Sequence, residues 1–267
     1  MSKTLKFRNV LITGASGGIG KALAEGFAAK GANLLLVARN ESALKTLAAA
    51  LEKKNPKIKA HVLALDLSKS DAASKLKHHC LEQNFSVDTL VNNAGYGVWG
   101  QFAELSLQEQ LDCMQVNVTT LVQLTHEFIP MLKENASKGG ASLMNVASTV
   151  AYQAMPTFAI YAASKSFVLS FTRALHHELK PFGIAVSTLV PGATESNFIE
   201  RAGLQHTAEK AKKVTMTAES VAQIGIRGLE KNQIEAIAGG LNRMMAGATR
   251  FLPKSVLEHA AESIYRK

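Results

Sequence analysis

Residues 9–20 read NVLITGASGGIG, a short apolar run that passes directly into a glycine-rich turn. The helix-forming segment Lys21-Ala22-Leu23-Ala24 follows the turn. An apolar run of this length predicts a buried strand, and glycines allow a turn in which free backbone amides and the positive end of a helix face a pyrophosphate. The pattern therefore predicts a phosphate-binding unit of strand, turn and helix, and a glycine-rich turn without a ligand is the alternative.

The spacing of the glycines narrows the class of phosphate ligand. Gly14-x-x-x-Gly18-x-Gly20 departs from the GxGxxG fingerprint, and Gly20-Lys21-Ala22 lacks the GK[ST] ending of a Walker-type loop. We therefore do not expect an ATPase that activates a phosphate.

The same alternation of a short apolar run and a longer amphipathic run repeats along the chain. Strands are predicted at Asn9–Thr13, Asn33–Ala38, Ala60–Leu65, Asp88–Asn92, Ala141–Ala147, Ile184–Val190 and Ile234–Ala238. Helices are predicted near residues 18–30, 40–54, 70–84, 106–134, 158–181 and 217–231. Strands that are apolar on both faces and alternate with helices are typical of a doubly wound α/β fold with a mostly parallel sheet. We predict a catalytic domain over residues 1–240 and a helical extension of it over residues 241–267.

The composition is that of a chain that can bury a large core. Of its 267 residues, 47% are hydrophobic and 19% are charged, which argues against disorder and against a fibrous repeat. No stretch approaches the roughly 20 consecutive apolar residues that span a bilayer. The basic start Met1–Lys6 leads into no signal-like apolar region. We therefore expect a cytoplasmic protein.

The spacing of cysteine and histidine indicates no metal site. Cys80 and Cys113 form no CxxC pair and have no Cys/His ligand set near them in sequence. The pairs His78-His79 and His176-His177 fall in helical patterns, where adjacent side chains point apart, and we expect both pairs to be solvated. We predict neither a disulfide nor a bound metal.

The formal net charge of +9 raises the question of an anionic partner. One Trp and four Tyr are available for base stacking, and no run interleaves aromatic with basic residues, so we do not predict nucleic-acid binding. The extension after Gly240 carries two apolar stripes at helical spacing, divided by Pro253. The stripes consist of Leu241, Met244, Met245, Ala248 and Leu252, and of Val256, Leu257, Ala260 and Ile264. We expect them to pack against the body or a partner subunit; an anionic membrane surface or a lipid-like substrate is the alternative.

Ligands of a doubly wound sheet bind beyond the carboxyl ends of the strands, so the residues after each strand carry the functional predictions. Arg39, after the second strand, can pair with the 2′-phosphate of NADP, or it is a plain surface cation. Asp66, after the third, can accept a hydrogen bond from an adenine amino group or cap the following turn. After the fourth, Asn92 and Asn93 can tie loops together or contact a ligand, and Ala94-Gly95 leaves room for a ribose.

Tyr161 and Lys165 are four positions apart, which places both side chains on one face of a predicted helix. A nearby ammonium favours phenolate over phenol and lowers a tyrosine pKa from ~10 toward the neutral range, where the hydroxyl can exchange a proton with a substrate. Ser148 follows the fifth predicted strand. Because a Tyr-x-x-x-Lys pair is common by itself, this prediction depends on the motifs that accompany it.

Taken together, these motifs resemble those of the short-chain dehydrogenases/reductases. The likeness covers about residues 7–240, and it is specific because several weak motifs occur in one order, each after a separate predicted strand. The motifs are Thr13-Gly14-x-x-x-Gly18-x-Gly20, Asn92-Asn93-Ala94-Gly95, Asn117, Ser148, Tyr161-x-x-x-Lys165 and Pro191-Gly192. The resemblance implies a Rossmann-like fold, an NADP-dependent oxidoreductase and a homo-oligomer, either a dimer or a tetramer, with the helices near 106–134 and 158–181 as contacts.

The resemblance also implies roles for individual residues. Tyr161 would exchange a proton with the substrate oxygen while the nicotinamide exchanges a hydride with carbon. Ser148 would hold that oxygen, Lys165 would lower the Tyr161 pKa and bind the nicotinamide ribose, and Asn117 would kink its helix and hold a relay water. Thr194 stands two residues earlier than the threonine that contacts the carboxamide in many members.

The expected cofactor contacts are Gly14, Ser16, Gly18, Ile19, Gly20, Arg39, Asp66, Leu67, Asn93, Ala94, Gly95, Tyr161, Lys165, Pro191, Gly192 and Thr194. The expected substrate contacts are Ser148, Tyr96, Met155 and Phe198.

We therefore predict transfer of a hydride between NADP(H) and the carbonyl or alcohol of a small, largely apolar substrate. Residues 195–213 resemble the variable segment that covers the substrate in the family, as either a mobile lid or a fixed interface segment. One alternative is a 3-oxoacyl carrier-protein reductase, which favours a basic docking patch near the mouth of the active site. The other is a dinucleotide-binding sensor without catalysis.

Overall fold

The computed structural model describes residues 5–195, Phe198, Ala202, Gly203, 215–249 and 251–265. Its strands are β1 (Asn9–Thr13), β2 (Asn33–Ala38), β3 (Ala60–Ala64), β4 (Thr89–Asn92), β5 (Ala141–Val146), β6 (Ile184–Val190) and β7 (Glu235–Ile237). They form one sheet in the order β3-β2-β1-β4-β5-β6-β7, in which every neighbouring pair is parallel. The predicted doubly wound α/β fold is confirmed.

The order of the strands places two turns side by side. The chain builds outward from β1 to β3 and then crosses to the other side of β1, where β4 pairs with β1 through Ile12 and Val91. The turns after Thr13 and Asn92 therefore leave adjacent strands at the same edge of the sheet. A reversal of this kind forms the crevice where ligands of such sheets bind.

Helices cover both faces of the sheet and form two apolar cores. The helices are α1 (Gly18–Ala29), α2 (Glu41–Lys54), α3 (Ala72–Glu82), α4 (Leu107–Met114), α5 (Thr120–Gly139), α6 (Ala159–Leu179), α7 (Ala218–Glu230), α8 (Gly240–Ala248) and α9 (Lys254–Tyr265). Phe27 of α1 and Ile12 of β1 lie in the core shared with α2 and α7. Leu11 and Phe128 lie in the opposite core, under α3, α5 and α6. Successive residues of β1 thus face opposite cores, which explains why its sequence is apolar throughout.

The prediction of one continuous helix near 106–134 is wrong at its centre. α4 and α5 are joined by a π-helical turn over Gln115–Thr119, and α5 continues to Gly139. The turn contains the buried Asn117, whose side chain bonds to the loop after β4. A π-helical turn accommodates an extra residue, so that a side chain can be turned toward such a contact.

The solvated position predicted for His176 is wrong. His176 is buried in α6, and its Nδ1 lies 2.7 Å from the carbonyl oxygen of Val186 in β6. The hydrogen bond to the neighbouring strand satisfies the ring inside the core. His78, by contrast, is exposed on α3.

The C-terminal extension forms α8 and α9, which are separated at Pro253 as the pattern predicts. Leu241, Met244 and Met245 of its first stripe do not pack against the body, since each is more than half exposed, and packing against a partner subunit stays a prediction. α8 turns Asn242 and Ala246 inward instead, because only small or polar side chains fit its close approach to the body. None of the described helices is long and apolar enough to cross a membrane. The domain division at residue 240 stays a prediction.

Candidate active site

Two glycines allow the turn after β1 to fold tightly onto itself. Gly14 has a φ of 68°, in the left-handed region that favours glycine. A Cβ at Gly20 would lie 2.2 Å from the carbonyl oxygen of Gly14, a distance that forces the turn apart. The N-cap of α1 is Gly17, which provides no side-chain hydrogen bond to the helix amides. The start of α1 therefore suits an anion that accepts hydrogen bonds from those amides.

The other expected cofactor contacts of this turn are at least partly accessible to solvent. Ser16 is exposed, and Gly18 and Ile19 are partly buried. Ser16 and Lys21 also line a groove of about 350 Å³ between α1 and α2.

Thr13 joins the two adjacent turns, although the sequence assigned it no role in the site. Its hydroxyl accepts hydrogen bonds from the backbone amides of Asn93 and Ala94, both at 3.0 Å. The Asn93 side chain donates hydrogen bonds in the other direction, to the carbonyl oxygens of Thr13 at 2.9 Å and Gly14 at 3.2 Å. Asn93 therefore ties the loops together, which is one of the two roles that its position allows.

Asn92 has a separate structural role inside the sheet. Its side-chain amide donates to Thr125 at 3.1 Å and to the side chain of Asn145 at 2.9 Å. These bonds link β4 to α5 and β5. A direct ligand contact by Asn93, Ala94 or Gly95 stays a prediction.

Arg39 and Asp66 lie at the ends of neighbouring strands. Arg39 is exposed, so its guanidinium is accessible to a ligand. The Oδ1 atom of Asp66 accepts hydrogen bonds from the Ser68 amide at 3.0 Å and the Ser68 hydroxyl at 2.9 Å. These bonds, together with the positive charge of Arg39, hold the pKa of Asp66 below its ordinary value. Asp66 thus caps the following turn, while the carbonyl of buried Leu67 accepts from Thr120 at 2.8 Å.

Asn117 holds the loop that carries Tyr96. Its Oδ1 accepts from the Tyr96 amide at 3.1 Å, and its Nδ2 donates to the Tyr96 carbonyl at 2.9 Å and to Ser164 at 3.0 Å. The thiol of Cys113 donates to the same carbonyl at 3.1 Å. Burial raises the pKa of Cys113 to about 11, so this thiol stays protonated at neutral pH. A π-helical turn interrupts the helix at Asn117, and the kink and the relay of a water by this residue stay predictions.

Lys165 and Tyr161 lie together on α6, both almost fully buried. The Nζ of Lys165 is 5.7 Å from the centre of the Tyr161 ring and donates to the Val146 carbonyl at 2.9 Å. Burial lowers the pKa of Lys165 to about 8 from its ordinary value of 10.5. The two side chains are thus close enough for the ammonium to act on the phenol. Their predicted roles need this proximity.

Ser148 lies in the turn that follows β5. It is the N-cap of a short 3₁₀ helix, Thr149–Tyr152, and its Oγ accepts from the Val150 amide at 3.4 Å. The amide of Thr149 donates to the Pro191 carbonyl at 2.9 Å, which connects this turn to the one after β6. Ser148 is therefore held on a fixed turn at the carboxyl edge of the sheet.

A polar cluster that the sequence did not indicate joins the Ser148 turn to the helix of Tyr161. The hydroxyl of Tyr152 donates to Glu235 of β7 at 2.6 Å. Arg173 of α6 forms an ion pair with the same carboxylate. Ser166 adds a hydrogen bond at 2.8 Å from α6 to the carbonyl of Ala151. No sequence motif joins these residues, because strand pairing brings β7 to them from far along the chain.

The space next to Tyr161 has an apolar wall. Met155 and Phe158 are buried in one cluster with Tyr161, and Trp99 and Phe198 pack against that cluster. The Tyr161 ring lies 4.5 Å from the ring of Phe158 and 5.2 Å from that of Phe198, centre to centre. The predicted substrate residues Met155 and Phe198 are therefore brought together with the phenol.

Tyr96, the other predicted substrate residue, is partly buried at the end of the loop that Asn117 holds. Burial raises the pKa of its hydroxyl to about 12, and the neighbouring Cys113, Asp112 and Glu109 act in the same direction. Tyr96 therefore remains a neutral phenol at neutral pH. Most of the predicted covering segment, residues 195–213, lies outside the described residues.

The turn after β6 packs under the start of α8. The hydroxyl of Thr194 donates to the Gly192 carbonyl at 3.0 Å. A Cβ at Gly192 would lie 2.4 Å from the Nδ2 atom of Asn242, so a larger residue here would displace this side chain. Asn242 itself donates to the Ala238 carbonyl at 2.6 Å. No sequence motif includes Asn242, because its contact with Gly192 depends on how α8 packs.

Comparison with known proteins identifies the family. The short chain dehydrogenase family model matches residues 8–207. Sulfoacetaldehyde reductase 2 from Chromohalobacter salexigens is 34% identical over 220 residues, which cover 80% of this chain and 85% of that relative.

Two solved structures share the architecture. A short-chain dehydrogenase from Sphingobium yanoikuyae in complex with NADPH has a TM-score of 0.79 at 27% identity, over 93% of this chain and 98% of that one. A 3-ketoacyl-(acyl-carrier-protein) reductase from Brucella melitensis complexed with NADH has a TM-score of 0.76 at 29% identity, over 86% of this chain and 94% of that one. With the family model matched across most of its length, this chain belongs to the short-chain dehydrogenases, a family of oxidoreductases.

Proposed function

We propose that this chain is an NADP-dependent carbonyl reductase or alcohol dehydrogenase for a small, largely apolar substrate. The observation that carries the proposal is the buried pair of Tyr161 and Lys165, with Nζ 5.7 Å from the centre of the ring. An acid–base group, a cation that acts on it and an apolar wall are thereby combined at the carboxyl edge of the sheet. This arrangement suits proton transfer to a carbonyl oxygen.

The turn after β1 fits the pyrophosphate of a dinucleotide. Gly14 and Gly20 leave no room for a side chain, so a ligand can approach the backbone closely. The amides at the start of α1 would hold the phosphate oxygens, and Ala94-Gly95 would adjoin a ribose. Gly95 itself lies beside Asn117 and Lys165, since a Cβ there would be 3.0 Å from Oδ1 of Asn117 and 3.2 Å from Nζ of Lys165. Lys165 is therefore placed to bind ribose hydroxyls as well as to act on Tyr161.

Arg39 supports NADP over NAD. Its exposed guanidinium follows β2, where an NAD-specific site of this architecture places a carboxylate for the ribose hydroxyls. A guanidinium repels no phosphate and can bind one through two parallel hydrogen bonds. Since the two similar structures carry NADPH in one case and NADH in the other, the family alone does not decide between the cofactors.

The residues of this chain supply the proton chemistry. A bound nicotinamide supplies the hydride to the substrate carbon, or accepts it from there. In reduction, Tyr161 donates its phenolic proton to the carbonyl oxygen, so that a C–H and an O–H bond form as the carbonyl π bond breaks. The cationic Lys165, held at the Val146 carbonyl, favours the phenolate that remains. Ser148 accepts a hydrogen bond from the Val150 amide, and its hydroxyl can donate a hydrogen bond to the same substrate oxygen. Oxidation of an alcohol reverses these steps.

The surroundings of Tyr161 favour an apolar substrate. Met155, Phe158 and Phe198 adjoin the phenol, whereas sulfoacetaldehyde, named for the Chromohalobacter relative, carries a sulfonate that needs polar partners. Similarity to the Brucella enzyme favours a 3-oxoacyl carrier-protein substrate as the second candidate. Charges of both signs lie near Tyr96, since Asp112 and Glu109 act there together with Arg39, so this loop does not form the basic patch that an acidic carrier protein would need.

Replacement of Tyr161 by phenylalanine tests the chemistry. Tyr161→Phe keeps the ring packing and removes the hydroxyl, so we expect NADPH binding, measured by calorimetry, to be nearly unchanged. Turnover of apolar ketones, followed as NADPH consumption, should fall by ~10²–10⁴-fold, the usual contribution of a general acid. Tyr152→Phe, which removes a hydroxyl outside the proposed chemistry, should retain most of the turnover. Unchanged turnover in Tyr161→Phe would remove this residue from the mechanism.

The same screen separates the enzyme from the sensor. Tight NADPH binding by the wild type, without turnover of any carbonyl or alcohol in a broad panel, would favour a dinucleotide sensor.

For the cofactor, Arg39→Asp should weaken the binding of NADPH far more than that of NADH. Lys138→Asp is the matched control, because Lys138 is an exposed cation whose backbone bonds to Arg8 at the opposite edge of the sheet. Equal losses for both cofactors in Arg39→Asp would contradict the preference for NADP.

A further inference from the structure

The C-terminal helices carry large apolar side chains that point into solvent. Phe251 is 88% exposed and Met244 is 66% exposed. The C-terminal patch, as we define it, consists of Leu241, Met244, Met245, Phe251, Leu252 and Val256. Single exposed apolar residues are ordinary on protein surfaces, but a contiguous group of this size marks an interaction surface.

The charges within this segment have one sign. Between Glu235 and Glu258 the sequence contains no Asp or Glu, but it contains Arg243, Arg250 and Lys254. Arg243 and Lys254 are exposed. The surface therefore combines exposed apolar side chains with a local excess of positive charge.

This charge pattern discriminates between the occupants that an apolar surface can have. Two copies joined through the same patch by a twofold axis would bring the cations of one copy against those of the other. Repulsion between like charges opposes that contact, whereas an anionic surface gains from each cation. Apolar side chains that enter the acyl boundary while flanking cations contact the headgroups are typical of helices that lie on anionic membranes.

The packing of α8 sets the position of the patch relative to the active site. Asn242 of α8 sits against Gly192, in the turn after β6. α8 also contacts the 3₁₀ helix Thr149–Tyr152, which begins next to Ser148. α8 therefore turns one face to the edge of the site and presents Met244 and Met245 to solvent. A surface bound to the patch would lie close to the turn that carries Ser148.

We propose that the C-terminal patch docks this protein on the surface of an anionic lipid bilayer. The docking itself is independent of the catalytic role. Access of the active site to apolar carbonyl compounds dissolved in that bilayer is the consequence, and this consequence rests on the proposed function.

Co-sedimentation of the full chain with lipid vesicles tests the docking. We expect binding to vesicles of phosphatidylcholine with phosphatidylglycerol, little binding to phosphatidylcholine alone, and weaker binding as salt is added. Phe251→Ser should lower the partition coefficient at least tenfold. Phe102→Ser is the matched control, because Phe102 is also exposed, at 59%, but is followed closely by Glu104. The control should bind as the wild type does.

Three results would overturn the proposal. The first is no sedimentation of the wild type with either kind of vesicle. The second is an equal loss of binding in Phe251→Ser and Phe102→Ser, which would mean that any exposed phenylalanine suffices. The third is an oligomer that dissociates in Phe251→Ser in analytical ultracentrifugation, which would assign the patch to contact between copies.

A charge variant and an assay without lipid complete the test. Arg243→Glu combined with Lys254→Glu should abolish the preference for anionic vesicles, and a retained preference would contradict the docking model. Turnover of a water-soluble ketone without vesicles should be unchanged in Phe251→Ser. Failure of docking therefore leaves this turnover intact, whereas failure of the proposed function removes it in the wild type.

Discussion

Replacement of Lys165 by methionine should stabilise the protein while it removes the proposed catalysis. Lys165 is 4% exposed, and its ammonium donates to the Val146 carbonyl. Burial lowers its pKa from 10.5 to about 8, which means that the folded protein holds the charged form less favourably than water does. Methionine fills a similar volume with a flexible, uncharged chain. The variant therefore removes a buried charge without leaving a large cavity.

The lowered pKa of Lys165 sets the size of the expected gain in the free energy of unfolding. At about 1.4 kcal/mol per pKa unit, the change from 10.5 to about 8 corresponds to roughly 3 kcal/mol of lost stability wherever the amine is charged in both states. Loss of the hydrogen bond to Val146 removes about 1 kcal/mol from the gain. We therefore expect the free energy of unfolding of Lys165→Met to exceed that of the wild type by ~2 kcal/mol at neutral pH.

The pH dependence provides a second signature. Between about 8 and 10.5 the unfolded chain keeps the Lys165 proton and the folded chain releases it, so this group makes the wild type more stable as pH rises. Below about 8 both states are protonated, and the contribution is constant. The advantage of Lys165→Met should therefore be full at neutral pH and should shrink toward pH 10.5.

Urea denaturation followed by circular dichroism, at a series of pH values, measures the difference between variant and wild type. The difference cancels the titration of lysines and tyrosines that lie away from Lys165. Lys138→Met is the control, since Lys138 is exposed in a surface pair with Glu134, and its effect should stay within ~0.5 kcal/mol at every pH. A Lys165→Met protein that is less stable than the wild type by a margin independent of pH would refute the reasoning.

Two further perturbations test the architecture around the site. Gly20→Ala should abolish NADPH binding in a calorimetric titration while the far-ultraviolet circular dichroism remains native, because its Cβ would lie 2.2 Å from the Gly14 carbonyl oxygen; binding at wild-type affinity would contradict this. Asp88→Asn should lower the free energy of unfolding by about 1–3 kcal/mol, since buried Asp88 accepts hydrogen bonds from the amide of Arg8 at 3.1 Å and that of Asn9 at 2.9 Å. Glu134→Gln, on the surface, is its control, and equal losses in the two variants would show that the buried contacts are not decisive.

The sheet could be predicted from sequence because its signals are local. A strand covered on both faces is an uninterrupted apolar run, and Asn9–Thr13 and Ile184–Val190 begin and end where the structure places them. The resemblance implied a kink at Asn117, but the helical period continues through this segment, so periodicity alone does not reveal the π-helical turn. It depends instead on hydrogen bonds to Tyr96, 21 positions away in sequence.

The residues of the candidate active site also differ in whether their signals are local in sequence. The spacing of Tyr161 and Lys165 reports one helix face, so their proximity follows from sequence alone. Glu235 and Asn242 act through partners on distant segments, and no short motif marks them. The apolar stripe on α8 is a different case, because its pattern is visible in the sequence but its exposure is not. Helical spacing indicates an apolar face, but it does not indicate whether the same chain covers that face.

Hydrogen bonds between neighbouring segments hold the site in place. Thr13 and Asn93 join the turns after β1 and β4, and Asn117 holds the loop of Tyr96. Lys165 is anchored at Val146 while its charge is unfavourably buried. A site ordered in this way spends little binding free energy on arranging its own loops, so more remains for orienting cofactor and substrate. A destabilising ammonium beside Tyr161 is what the proposed proton transfer predicts, because stability and activity often conflict at a catalytic site.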